Sequence, residues 1–296
     1  MDNNIVVIGS NGQVASLLKQ AKKDNNYIFI GRPDFDICNP QLIKDAFKTY
    51  KPKLVVNCSA YTNVEKAEKE IESAFAVNST AVKNIAKSCK ANSIPLIHIS
   101  TDYVFDGTKQ EPYHEGDYTS PKSIYGKSKL AGEIYIRDIL PEHVIIRTSW
   151  VFSEHSSNFV KTMLYLAKTK ENLSIINDQY GCPTSAHSIA NVIIKVVKSL
   201  LYLRRKDCYG VFHFSNQLST SWFGFAQEIF NISSCISKIN IPTLTPISSE
   251  QYKCIAPRPK NSVLDCLKIE KVFGIKQELW IPTLEEVILK LLHENK

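Results

Sequence analysis

The chain has 296 residues, 44% of them hydrophobic and 22% charged, with a formal charge of +7. That length supports one large α/β domain or a large and a small one, and the composition excludes a disordered or low-complexity protein. The basic residues are scattered among acidic ones rather than gathered in a patch, which argues against a nucleic-acid partner, and no apolar run nears the roughly 20 residues that would cross a bilayer. A lysine-rich background suits ligands that carry phosphates. The eight cysteines, at 38, 58, 89, 182, 208, 235, 254 and 266, form no CxxC and no paired spacing. They read as reduced thiols, and with no charged-then-apolar leader the expectation is a soluble, cytoplasmic protein.

Ile5-Val-Val-Ile8 is a continuous apolar run, the pattern of a strand buried on both faces. Gly9-Ser-Asn-Gly12-Gln-Val-Ala15 follows it, then a helix from Ser16 to about Lys23. Tyr27–Ile30 is a second strand, and Asn39-Pro40 opens a helix through Tyr50, with proline at an early helical position. Lys53–Asn57 is a third strand, and a long helical region from Val64 to Asn92 is broken near Glu70 to Glu72. Ile94–Ser100 is a fourth strand, Pro121–Arg137 a helix and Val144–Arg147 a further strand. This alternation predicts right-handed βαβ units and a Rossmann-like, doubly wound parallel sheet over residues 1–152, with ligands beyond the carboxyl ends of its strands. Polar residues gather at those ends: Gly9 to Gln13, Ala60-Tyr61-Thr62, Ser100 to Tyr103, and Thr148-Ser149-Trp150.

In the second half, Phe159–Ala167 and His187–Leu201 read as amphipathic helices, Gly210–Phe214 as a strand and Trp222–Phe230 as a helix capped by Ser219-Thr-Ser221. Pro242, Pro246, Pro257 and Pro259 mark extended loops, and Thr283–His293 is a final helix. Residues 153–296 are therefore expected to form a smaller, partly interleaved α/β substrate-binding domain.

Gly9-x-x-Gly12-x-x-Ala15, between a strand and a helix, is in the setting of a dinucleotide fingerprint. The first glycine permits a tight turn, and the second lets backbone approach a pyrophosphate at the helix N-terminus. The second strand ends in Gly31-Arg32 rather than in an acidic residue. An arginine there can bond a 2′-phosphate, so NADPH is favoured, although Asp34 and Asp36 lie close enough to leave NADH open. Tyr125 and Lys129 stand four apart in a helical segment, one turn from each other on one face. A tyrosine is a poor acid near neutral pH, and an ammonium beside it stabilises the phenolate, so the pair can exchange a proton with a substrate oxygen. A solvated helix face carries such pairs too. The histidines show no metal-ligand spacing.

These blocks resemble the extended short-chain dehydrogenase/reductases and, among them, the dTDP-4-dehydrorhamnose reductase family. The matching segments are Gly12-Gln13-Val14, Val55-Val-Asn-Cys-Ser-Ala-Tyr-Thr62, His98-Ile-Ser-Thr-Asp-Tyr-Val-Phe105 and Tyr125-Gly-Lys-Ser-Lys-Leu-Ala-Gly-Glu133. Others are Arg147-Thr-Ser-Trp-Val-Phe152, Asn158–Leu164, Ile176-Asn-Asp-Gln-Tyr-Gly-Cys-Pro-Thr184 and Arg258-Pro-Lys-Asn-Ser262. The resemblance implies an NADPH-dependent reduction of the C4 ketone of dTDP-4-dehydro-β-L-rhamnose to dTDP-L-rhamnose. It makes Tyr125 the proton donor, Lys129 the ribose ligand that lowers the tyrosine pKa, and Thr101 the hydroxyl on the substrate oxygen, with Asp102 beside it. Gly9, Gly12, Gln13 and Val14 would line the cofactor diphosphate. Arg32, Asp36 and Ile37 join the cofactor contacts past the second strand, and Ala60, Tyr61 and Thr62 those on the ribose and nicotinamide side. Trp150, Asn158 and Gln179 would meet the nucleotide sugar, and Arg258 its diphosphate.

Some family members bind Mg2+ through glutamates near the start of the first helix and after the Gly-x-Pro-Thr segment. Ser16-Leu17-Leu18 and Ser185-Ala186-His187 offer no carboxylate there, so no metal is expected and a Mg2+-bridged dimer is in doubt; monomer and homodimer stay open. Two alternatives remain. One is another nucleotide-sugar reductase or epimerase; the other is a non-catalytic NADP-binding regulatory subunit.

Overall fold

The apolar runs of the first half become the strands of one sheet. The structure, a computed structural model, describes residues 3–22, 26–203, 205 and 207–293. In chain order the first half comprises β1 (Ile5–Ile8), α1 (Gln13–Ala21), β2 (Tyr27–Ile30), α2 (Pro40–Tyr50), β3 (Leu54–Asn57), α3 (Val64–Ala67), α4 (Ile71–Phe75) and α5 (Ala81–Ala91). β4 (Leu96–Thr101), α6 (Ile124–Ile139), β5 (His143–Thr148) and β6 (Val151–Phe152) follow. The second half holds α7 (Phe159–Ala167), β7 (Asn172–Ile176), β8 (Tyr180–Gly181), β9 (Thr184–Ser185), α8 (Ala186–Val197) and β10 (Gly210–His213). Last come β11 (Thr220–Ser221), α9 (Trp222–Ile236), β12 (Thr243–Ile247), α10 (Leu267–Phe273) and α11 (Trp280–His293).

The central sheet has six strands in the order β2-β1-β3-β4-β5-β10, and every neighbouring pair is parallel. The chain leaves β1 to one side for β2, then returns past it to β3. This reversal is the topological switch point at which doubly wound sheets open their ligand crevice. Both faces are covered, which is why the strands read as unbroken apolar runs. Ile5 and Val7 pack with α1 and α8 in one layer, while Val6 and Ile8 pack with α2 and α5 in the other. A third apolar cluster, built from α7, β7, α9 and α11, lies to one side of the sheet. α8 packs on α1 and β10 extends the sheet beside β5, so the chain returns to the first lobe after entering the second.

Most differences from expectation concern element ends. α1 starts at Gln13 rather than Ser16, and its expected last residue, Lys23, lies outside the described residues. The expected break in the 64–92 helical region falls at 68–70, and a π-helical turn spans Ala76–Thr80 ahead of α5. That turn carries Asn78, whose amide bonds both backbone groups of Tyr61 and the hydroxyl of Ser128. A single extra residue in a helix re-aims a side chain in this way, and helical periodicity does not reveal it. Pro246, expected in a loop, sits in β12, which pairs with β7 in a two-stranded sheet; proline is tolerated on a strand with a free edge. α9 continues six residues beyond Phe230 to Ile236, and α10 was not expected at all.

Candidate active site

The loop between β1 and α1 has the geometry of an anion cradle. Gly9 adopts φ +93°, and a Cβ on it would lie 2.7 Å from the backbone nitrogen of Ser59 at the end of β3. Only glycine lets the two strand ends approach this closely. Gly12 caps α1 without a side-chain bond, and no acidic residue stands in the first turn, so the N–H groups of Gln13, Val14 and Ala15 are open to a negative group. These are features that a pyrophosphate fits. Beside the loop a cleft of about 560 Å³ is lined by Ser10, Asn11, Gly31, Arg32, Asp34 and the face of α2 from Leu42 to Tyr50. Arg32 is exposed, and its carbonyl accepts from Asn11 Nδ2 at 2.9 Å.

The remaining expected cofactor residues separate into two sets. Ala60 and Tyr61 are half-buried and Thr62 exposed just beyond β3, with the Tyr61 hydroxyl donating to Glu70 at 2.7 Å. Asp36 accepts from the Cys38 backbone, and Ile37 is buried in the core on the α2 side of the sheet. The Gln13 side chain turns to the second lobe, accepting from Ser153 Oγ at 2.8 Å and Asn158 Nδ2 at 3.1 Å.

Helix α6 starts at Ser123, whose hydroxyl accepts from Gly126 N–H. A Cβ at Gly126 would fall 2.2 Å from the Tyr103 carbonyl, so the glycine brings the helix against the turn that follows β4. Tyr125, Lys129 and Glu133 then recur every fourth residue along the face that meets β4. Thr101 ends β4, donating to Asp102 Oδ1 at 2.9 Å and accepting from the Tyr103 N–H. Burial pushes the Tyr125 phenol up to about 12; the Thr101 hydroxyl beside it lowers it and the Asp102 charge raises it. Tyr125 is thus a protonated donor at neutral pH. Burial pulls Lys129 down to about 8, opposed by the Glu133 carboxylate and, less, by Cys58. The Lys129 ammonium donates to the Ile99 carbonyl at 2.7 Å.

Glu133 is fully buried and pairs with Arg147 of β5 at 2.7 Å, and it also accepts from Ser100 Oγ. Sequence reading did not single out Glu133, although its place four residues past Lys129 was a signal. Asn57 and His98, both fully buried, carry no pattern that could have marked them.

Four buried side-chain atoms among the described residues have no partner: Asp102 Oδ2, Thr148 Oγ1, Gln179 Oε1 and Arg258 Nε. Thr148 is the register partner of Thr101, and Asp102 follows Thr101, so two residues at the ends of β4 and β5 present free polar atoms next to Thr101. Buried polar atoms without partners mark a place where a ligand completes the hydrogen bonding. Burial raises the Asp102 carboxyl to about 6, with the hydroxyls of Ser262 and Thr101 opposing.

Trp150 has φ +47°, a strained setting for a bulky residue, and stacks on Trp222 at 3.5 Å and 4°. A Cβ on Gly181 would sit 2.5 Å from the Trp150 ring. Arg258 is held by Glu65 at 3.1 Å. Asn158 is a helix cap: its Oδ1 accepts from Lys161 N, while its Nδ2 donates to Gln13, Ser153 and His155. No cluster of three or more His, Cys, Asp or Glu among the described residues is placed to hold a metal. At the position of the absent family carboxylates, His187 pairs with Glu154 at 2.9 Å, and Lys290 with the same carboxylate at 2.8 Å.

The family model described as RmlD substrate binding domain matches residues 3–293. The dTDP-4-dehydrorhamnose reductase of Sinorhizobium fredii is 41% identical over 293 residues, 99% of each chain. That of Escherichia coli K12 is 36% identical over 286 residues, 94% of each. Among solved structures, a dTDP-4-dehydrorhamnose reductase from Clostridium acetobutylicum superposes with a TM-score of 0.89 at 36% identity, covering 98% of this chain and 99% of that one. One from Bacillus anthracis, solved in complex with NADP, gives 0.88 at 32% identity, covering 98% and 100%.

Proposed function

The chain belongs to the RmlD substrate-binding-domain family, that of the dTDP-4-dehydrorhamnose reductases, and on that footing we propose that it reduces the C4 ketone of dTDP-4-dehydro-β-L-rhamnose to dTDP-L-rhamnose with NADPH. The observation that carries the reading is the meeting of Thr101, Tyr125 and Lys129 at the end of β4, beside partnerless buried polar atoms. NADPH, when bound, supplies the hydride to the sugar carbon. The open N–H groups of α1 hold its diphosphate, Gly9 and Gly12 give it room, and Arg32 with Ser10 and Asn11 lines the cleft that suits a 2′-phosphate.

Thr101, its hydroxyl proton turned away from Asp102, donates to the ketone oxygen and fixes its position. As negative charge grows there, Tyr125 gives up its phenolic proton to form the product hydroxyl, and the phenolate it leaves is stabilised by the Lys129 ammonium. A donor with its pKa near 12 is in the correct form for reduction across the neutral range. Asp102 Oδ2 and Gln179 Oε1 accept from sugar hydroxyls, Trp150 packs on the sugar, and Arg258 pairs with the diphosphate. The substrate and product of this reading are water-soluble metabolites, which suits a reaction in the cytoplasm carried out by a monomer or a homodimer; among the described residues no helix is long and apolar enough to cross a membrane.

Purified protein given NADPH and dTDP-4-dehydro-L-rhamnose is expected to oxidise the cofactor, read at the nicotinamide absorbance. No oxidation with this or any other nucleotide-linked keto-sugar sinks the reading. Retained NAD with interconversion of sugars and no net oxidation identifies an epimerase, and NADPH binding without turnover a regulatory subunit. Tyr125→Phe is expected to lose about 10²-fold or more in kcat while binding NADPH as before.

A further inference from the structure

Behind Lys129 lies a buried pair that the catalytic scheme does not use. Asn57, the last residue of β3, and His98 of β4 are register partners, and both are fully buried. The amide orientation of Asn57 follows from its neighbours. Its Oδ1 accepts from the Ser59 backbone N–H at 3.1 Å and also from the Ser59 hydroxyl. A backbone N–H can only donate, so the oxygen must face Ser59 and the Nδ2 group must face His98 Nδ1, at 3.1 Å. His98 Nδ1 is therefore the acceptor. Burial, reinforced by the Lys129 charge, holds His98 well below its usual range, so the ring is neutral and carries one proton. With Nδ1 accepting, that proton sits on Nε2, which lies 3.4 Å from Lys129 Nζ.

We propose that His98, locked by Asn57 in the Nε2–H tautomer, points a proton at Lys129 Nζ and so biases this lysine towards its neutral amine, making His98 a positioning residue for the proton transfer. A neutral amine completes the arrangement: one N–H goes to the Ile99 carbonyl and the lone pair accepts from His98. An ammonium has no lone pair and would set donor against donor. The other titratable groups that face the lysine are Cys58 from the end of β3 and, on α6 itself, Glu133, with Tyr125 a turn away; Cys58 and Glu133 both favour the ammonium. Ser59, which orients the Asn57 amide, lies against Gly9 of the β1–α1 loop.

The test has two arms, and the first stands apart from the reductase reading. Nitrogen-15 NMR of histidine in the full-length protein is expected to show His98, assigned by its loss in His98→Asn, as the Nε2–H tautomer across pH 6–9. An Nδ1–H tautomer or a charged ring overturns the proposal. The second arm rests on the reductase reading and follows kcat/KM against pH. Activity needs the Lys129 ammonium, so it falls as pH rises through the lysine pKa. Asn57→Asp puts a carboxylate at Nδ1, which draws the ring proton to that side and makes Nε2 an acceptor for the ammonium. The alkaline limb is then expected to move up by a unit or more, which is tenfold more of the charged lysine at pH values above it. His98→Asn, which keeps the contact to Asn57 and loses the one to Lys129, moves the limb in the same direction. A limb unmoved in Asn57→Asp, with kcat merely scaled, makes the pair structural.

Discussion

Single positions decide how close the reacting groups come. Gly181 gives way to the Trp150 ring, and Trp150 is otherwise fixed by its stack on Trp222. Gly181→Ala forces that ring to move, because the new methyl would overlap it and neither backbone can retreat. A displacement of about 1 Å in a positioning group can cost about 10²-fold in rate. The variant is expected to raise KM for the nucleotide sugar at least tenfold, with NADPH affinity unchanged, as steady-state kinetics and cofactor titration would show. A change confined to NADPH affinity would place Trp150 outside the sugar site. The sequence marked Trp150 by its place after a strand and by the family resemblance; the requirement for glycine at 181 becomes visible once the two residues are seen in contact.

At the level of elements, α6 acts as a ruler. Its four-residue repeat sets Tyr125 at the open end of β4, Lys129 one turn below and Glu133 a turn further in, where the carboxylate meets Ser100 and Arg147. The ion pair fastens the helix to two strands and thereby fixes the height of Tyr125. Breaking a buried pair leaves the other charge unmatched, at a cost of about 3–5 kcal/mol. Glu133→Gln is expected to lose stability on that scale in urea unfolding. Its kcat, measured where the variant is still folded, should fall further than KM rises. A loss under about 1 kcal/mol would show that the helix is held by its apolar contacts alone. The Tyr/Lys spacing was legible because helical period is local. The 76–80 π turn was not, because its one added residue is stabilised by distant partners, Tyr61 and Ser128.

Over the whole molecule, polar contacts between distant segments tie the two lobes together, among them those of Gln13 with Ser153 and Asn158. Glu65, in α3, accepts from the backbone of Ile255 and Ala256 and pairs with Arg258, so residues 255–258 form a strap tied to the first lobe. Burial works against the ionised Glu65, but the Ile255 N–H, Arg258 and the Ala256 N–H outweigh it and hold the carboxyl below its usual range. A carboxyl depressed in the folded state contributes above its unfolded pKa and stops contributing as pH falls through the folded value. The strap is therefore expected to stay closed from neutral pH down through the ordinary carboxylate range and to loosen in stronger acid. Hydrogen exchange over residues 254–259 should accelerate in Glu65→Ala at neutral pH. Equal protection in both proteins would mean that the strap is held by other contacts. On the opposite side Glu154, drawn down to about 2 because Lys290, its own backbone N–H and His187 outweigh the opposing effect of burial, binds the last helix to α8.

The sequence by itself determined the parallel sheet, the glycine turn after its first strand, and the Tyr125–Lys129 pair, because hydrophobic period, glycine spacing and helical repeat act over a few residues. Membership of the reductase family was legible in the same short blocks. Only the tertiary structure decided which polar atoms are left without partners, that Asn158 donates to Gln13, that Glu65 ties down Arg258, and that Asn57 fixes the tautomer of His98. Each of these depends on groups far apart in the chain, from 41 residues for Asn57 and His98 to 193 for Glu65 and Arg258. For Asn57 and His98 burial also removes water as the alternative partner, and no local pattern in the chain records which groups will meet there.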